Sequence, residues 1–260
     1  MIAASPQWLL LDVPGAPRAG ATLRQTFAHA RWFWLFEDTE LHASREQGPV
    51  LVELGSCPAL AGLCYSEAQD WRGLLVFSAA SLSPLLAHLR RMLTVTVGVH
   101  HRALLNYYNP NTASYFFDAC DARELSRWLG PISQLHWFGG TWADRAIGCQ
   151  SWQQLHNPGL VVSPLAIEES LSPGQQGKLQ TCLLEQHAWH WSQSTGTDYN
   201  RLWSHLQEGL ALGFNERPVL DEWLWLRLQY PRATLALPLS GRTQQERLHS
   251  LRDRWQTDRH

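Results

Sequence analysis

The sequence predicts an α+β protein: a mixed α/β N-terminal lobe, with a sheet flanked by helices, followed by a smaller all-helical lobe. Three observations predict it. Short apolar runs at Trp32–Phe36, Val50–Leu54 and Leu74–Phe77 have strand length and no polar side, as strands covered on both faces do. Leu82, Leu85, Leu86, Leu89 and Leu93 then recur with helical spacing on one apolar face. From Ser170 onward the pattern becomes three helical stretches with no strand between them. These readings divide the chain into an α/β lobe at 1–165, a helical lobe at 166–240 and a polar, weakly ordered tail at 241–260.

Each element has a local reason. Trp8–Val13 reads as a first buried strand, and 21–31 suits a helix. After the strand at Leu74–Phe77, Ser81 or Ser83 caps a helix with Pro84 in its first turn. Arg90 and Arg91 stand near its C-terminal end, where positive charge suits the macrodipole. Residues 94–99 and 103–108 read as a strand pair joined around Gly98 to His101. Short helices follow at 111–119 and 121–129, the second stopped by Gly130 and Pro131. Residues 134–162 read as strand and loop, with Gly139 and Gly140 in a turn. The last three helices span about 172–194, 198–213 and 217–230. Ser172 before Pro173 opens the first, Asp198 caps the second, and Gly213 and Pro231 end the second and third.

Charge narrows the function classes. Of 260 residues, 21 are Lys or Arg and 23 are Asp or Glu. Residues 1–150 carry 11 basic and 12 acidic side chains, and 151–260 carry 10 and 11. Neither half has the excess of positive charge that nucleic acid or an anionic membrane surface selects. The N-terminal apolar run lacks a preceding Lys or Arg and is too short to span a bilayer. The five cysteines are odd in number, widely spaced and without a C-x-x-C pair, which favours reduced thiols and a cytoplasmic location. Only Lys178 is lysine, and there are 14 tryptophans; Arg and Trp are the residues that dominate protein interfaces.

Catalytic patterns are weak. There is no G-x-S-x-G elbow, no phosphate loop and no dinucleotide fingerprint. Ser78 and Ser81 flank a strand-to-helix turn but lack an elbow's glycines, so a helix cap is the better reading. Glu37, Asp38 and Glu40 are either a carboxylate pair or a solvated strand end. His187 and His190 share a helix face without the Glu of a zinc motif, and His100 and His101 point to opposite faces of a strand. The expectation is no catalytic residue, no cofactor and no metal.

Five segments in order carry a resemblance: Trp34, Leu35, Phe36 and Thr39; Gly48–Leu54; Gly73, Leu75, Ser78, Ser81, Leu82, Leu85, His88, Leu89 and Arg90; Asn106–Asn111; and Arg127–Ile132. Together they resemble the effector adaptors, or chaperones, of bacterial type VI secretion, over about residues 8–135. In the fourth segment the family pattern F-R-F-Y-D-P-R has Asn106, Asn109 and Asn111 here in place of its charged residues. The resemblance implies a non-enzymatic adaptor in the cytoplasm that binds one effector protein and helps load it onto the VgrG spike. The rival classes are a hydrolase-like enzyme built from scattered His and acidic residues, and an immunity protein that blocks a toxin.

The helical lobe is the expected cargo surface. It holds Trp189, Trp191, Trp203, Trp223 and Trp225, more than three helices need for packing, with Arg201 and Arg227 beside them. At least one tryptophan is expected to be exposed in a partly apolar groove near Arg201 or Arg227.

Overall fold

A computed structural model describes residues 5–97, 101–235 and 239–257. The chain forms two compact units, Met1–Cys182 and Leu183–His260.

The first unit is built on a six-stranded antiparallel sheet. Its strands are β1 (Trp8–Leu11), β2 (Trp32–Trp34), β3 (Val50–Glu53), β4 (Gly73–Phe77), β7 (Gln134–Gly139) and β8 (Ser151–His156), in the order β2-β3-β1-β4-β7-β8. Helices cover both faces. Side chains alternate across the central strands, so Leu10, Leu51, Leu74, Val76 and Leu135 enter one core and Leu9, Val50, Val52, Leu75 and Phe77 enter the other. The first core receives α3 (Leu82–Arg91) through Leu85 and Leu89, α4 (Pro110–Phe116) through Phe116, and α5 (Ala122–Leu129) through Trp128 and Leu129. The second receives α1 (Pro17–Thr26) through Leu23 and α2 (Pro58–Ser66) through Leu60 and Cys64. This is why the central strands read as apolar on both sides. A separate hairpin, β5 (Thr94–Val97) with β6 (His101–Leu104), stands outside that sheet. The stretch between these strands, including His100, lies outside the described residues.

Several boundaries differ from the sequence reading. The first helix is α1 and not 21–31, because Pro17 presets the first turn and starts it early. β2 stops at Trp34, where the chain turns inward: Leu35 and Phe36 are buried, the Thr39 hydroxyl donates to the Phe36 carbonyl at 2.7 Å, and Asp38 takes φ 57°. The Phe36 ring packs against Gly48, where a Cβ would stand 2.6 Å from it. The aromatic run and the Gly-Pro strand are therefore coupled by contact. Gly139 and Gly140 do not close a hairpin. They lead from β7 into α6 (Trp142–Ala146), which Thr141 and Asp144 open with a capping box.

The second unit takes most of α7 (Pro173–Thr195), with α8 (Tyr199–Ala211), α9 (Arg217–Gln229) and α10 (Gln244–Thr257). The first three match the expected stretches to within two residues at each end. The lobe boundary expected at 165 falls instead inside α7, because the start of that helix packs with the first unit: Leu179 lies against its core. The tail expected at 241–260 is largely α10, with Leu248, Leu251 and Trp255 buried. Its apolar residues are few, but they lie on one face, and the charged majority made the segment read as polar.

Candidate partner-binding surfaces

The predicted cargo residues separate into an internal set and an exposed set. Trp223 has no exposed area, and its indole donates to the His205 carbonyl at 2.6 Å. Arg227 lies over the rings of Trp223 and Trp255 at 5.6 and 5.3 Å. It donates twice to the Glu208 carboxylate at 2.7 Å and once to the Ala233 carbonyl at 2.8 Å. Arg227 is thus an internal cross-link and not the rim of a groove. Trp225 stands two residues before it, about 200° around the helix, and is 55% exposed. An exposed tryptophan exists, then, on the face opposite Arg227.

Trp225 is held in a defined pose. Its ring meets Trp191 edge-on at 5.1 Å, and the Trp191 indole donates to Asp221 Oδ1 at 3.0 Å. His187 Nε2 lies 2.9 Å from the same oxygen but off the line of a hydrogen bond. Its imidazole is held below its ordinary pKa, mainly by burial and against the pull of Asp221. Leu183, His187 and Trp191 follow at four-residue steps on α7, and Leu183 is 66% exposed. The result is a strip from Leu183 to Trp225 with exposed apolar ends and the His187–Asp221 pair between them. Trp189 and Trp203 are half-buried, and Arg201 is exposed on α8.

In the first unit, most residues singled out by motif have structural work. Ser78 is buried and donates to the Pro131 carbonyl at 2.7 Å. Glu37, Asp38 and Glu40 pair with Arg45, Arg90 and Arg102 at 3.8, 3.2 and 2.6 Å, so no two of them share a site. Arg90 also donates to the carbonyls of Trp34 and Leu35, locking the end of β2 onto α3. All five cysteines are free thiols, and burial pushes Cys64 and Cys120 up to about 12. Among the described residues no group of three His, Cys, Asp or Glu could hold a metal, and no helix is long and apolar enough to cross a membrane.

The Asn-Tyr-Tyr-Asn-Pro-Asn segment is the polar centre of this unit. Asn109 caps α4 by accepting from the amides of Asn111 and Thr112, and donates to Asp12 Oδ2 at 2.8 Å. Asn111 is buried; it accepts from Arg72 at 2.9 Å and donates to the Gly140 carbonyl at 2.9 Å. The two asparagines thus join β1, the start of β4 and the end of β7 through neutral amides. Beside them is a cleft of about 100 Å³ lined by Gln69, Arg72, Asn111, Phe138, Arg145 and Gln150, with Ala68 and Pro110. The sequence reading missed this cleft. Its residues come from four segments, brought together by the pairing of β4 with β7 and of β7 with β8 and by the bonds of Asn111 on α4 to Arg72 and Gly140.

The polar motif residues of the first unit are thus largely engaged internally, and exposed aromatic side chains include Tyr65 and Trp225. A family model described as a domain of unknown function, DUF4123, matches residues 7–127. That domain is associated with type VI secretion effector adaptors. No curated protein and no solved structure matches the chain.

Proposed function

We propose that this protein is a cytoplasmic adaptor that acts by binding alone, without catalysis: it holds one type VI effector in the producing cell and helps place it on the VgrG spike. The observation that carries the reading is the DUF4123 domain over residues 7–127, linked to type VI adaptors. The geometry supports it. Ser78 is buried and bonded to the Pro131 carbonyl, and the carboxylates that suggested an enzyme are engaged in ion pairs. The strip from Leu183 to Trp225 has the exposed tryptophan that an interface anchor needs, fixed by Trp191 and Asp221. In this reading the strip takes an apolar segment of the effector. The test is co-purification of the full chain with the effector and VgrG encoded beside its gene. A stable complex with effector, required for that effector's secretion, is expected. No complex with either partner, or a complex that only neutralises the toxin in a recipient cell, would overturn the proposal.

A further inference from the structure

The cleft beside Asn111 has a chemistry that the adaptor reading does not by itself require. Two guanidinium groups, Arg72 and Arg145, line one space, together with the side-chain amides of Gln69, Gln150 and Asn111. No lining residue is acidic. Arg72 donates to Asn111 Oδ1, a neutral acceptor, and forms no ion pair with any described carboxylate. The Asp12 charge favours the Arg72 cation, but its oxygens accept from Asn109 Nδ2 and the Gly15 amide. Burial disfavours both cations, and the charge of Arg72 further disfavours that of Arg145. An anion seated between the two relieves that repulsion and gains charge-assisted hydrogen bonds from planar donors suited to a carboxylate.

Size and surroundings narrow the ligand. A space of about 100 Å³ admits a carboxylate-sized group, well below the few hundred Å³ of a pocket for a whole cofactor or nucleoside. The cleft does not end in bare solvent. Phe138, which lines it, meets Trp152 at 5.8 Å, and Trp152 meets Tyr65 at 5.1 Å. Tyr65 is exposed, and Phe138 and Trp152 are half-buried. An aromatic shelf thus continues from the cationic hole. We propose that this site binds a carboxylate presented by a protein chain, with the apolar side chain next to it resting on Phe138, Trp152 and Tyr65. The carboxylate chemistry stands on the cleft alone; assigning it to the carried effector rests on the adaptor reading.

The experiment titrates the full chain, without any partner, with acetate and then with short peptides, followed by NMR of the arginine Nε–H and side-chain amide signals. Acetate, against chloride at equal ionic strength, is expected to shift Arg72, Arg145 and Gln150 together and saturably. Arg72→Gln is expected to weaken this about tenfold, as loss of a charge-assisted pair does. Arg145→Gln, on a less buried side chain, repeats the measurement should the first variant fold poorly. A peptide ending in a free carboxylate after an apolar residue is compared with its C-terminal amide, and with an amidated peptide carrying an internal glutamate. Tighter binding by the first marks a chain terminus as the source, and tighter binding by the third marks an acidic side chain. Trp152→Ala is expected to remove the advantage of peptide over acetate while leaving acetate binding unchanged. Acetate shifts that persist unaltered in both arginine variants, or that do not saturate, overturn the site. Because no effector is present, this result is independent of whether the chain proves to be an adaptor.

Discussion

Arg227 in the helical unit and Arg72 in the sheet unit are the same residue type in partly buried surroundings, yet they are treated differently. Arg227 has a bidentate carboxylate, a backbone carbonyl and two indole faces, all from its own unit. Arg72 has one amide oxygen and a second guanidinium across a cleft. A buried charge is tolerated when paired, and costs several kcal/mol when it is not. Arg227 is therefore part of how its unit holds together. Arg72 is held in place by the fold and directed at something the unit does not supply.

The largest effects test whether each unit's core is assigned correctly. Trp223→Ala is expected to cost about 3–5 kcal/mol, since it empties a fully buried site and strips one ring from Arg227. Leu89→Ala is its counterpart in the sheet unit, with an expected cost of about 2–5 kcal/mol. Denaturant midpoints check both. A midpoint unchanged by Leu89→Ala would mean that the packed face of α3 is wrong.

The next effect addresses the arginines directly. Arg227→Gln leaves the Glu208 carboxylate without its main partner and is expected to cost about 3 kcal/mol. Arg72→Gln removes a cation that has no ion pair, but its shorter amide leaves the buried Asn111 oxygen without that donor, so about 1 kcal/mol is expected. Equal costs for the two would erase the distinction between them.

How much of this was legible follows the same division. Continuous apolar runs showed where Val50–Glu53 and Gly73–Phe77 lie, an apolar face at helical spacing showed α3, and caps and breakers bounded the three long helices, because buried faces and helix ends leave marks on neighbouring residues. α10 was hidden because only Leu248, Leu251 and Trp255 of its residues are buried. An exposed tryptophan was expected near Arg201 or Arg227; of these, Arg227 lies on the other side of α9, because spacing of two along a helix separates Trp225 from it. The Arg72–Arg145 cleft left no local mark. It depends on strand order, which the sequence does not display, and its one asparagine, Asn111, reads as a lost charge in the sequence although it bonds Arg72 and the Gly140 carbonyl in the fold.

A smaller effect concerns the exposed strip. Trp225→Ala removes a ring that mostly faces solvent, so stability should change by less than about 0.5 kcal/mol. Effector affinity should fall by about 2 kcal/mol if the ring is an interface anchor. The pair of measurements separates anchor from core. A loss of stability without a loss of binding would make Trp225 an ordinary packing residue propped by Trp191.

The smallest expected effect is a pH dependence, and it compares the units through their histidines. In the sheet unit, His88 sits half-buried with Nε2 2.8 Å from the Trp128 carbonyl. Its imidazole is held below its ordinary pKa, first by burial and then by the nearby Arg91, although the carbonyl pulls the other way. A neutral ring donating N–H to the carbonyl fits this geometry. The unfolded chain therefore binds the proton more readily than the folded one. Above the ordinary histidine pKa of about 6.5 both states are neutral, and the contribution to stability is full. As pH falls below that value the unfolded state gains protons first, and stability is lost until the folded pKa is passed. His187 and His205 in the helical unit are depressed in the same direction, also by burial first. Thermal unfolding of the full chain should accordingly fall in midpoint between about pH 7 and pH 5. His88→Gln, which keeps an N–H donor for the carbonyl, should flatten the part of that slope owed to the sheet unit. His187→Gln should flatten only the part owed to the helical unit. If the slope is the same in His88→Gln as in the parent, His88 binds its proton equally well in the folded and unfolded chain, and burial does not hold the ring neutral.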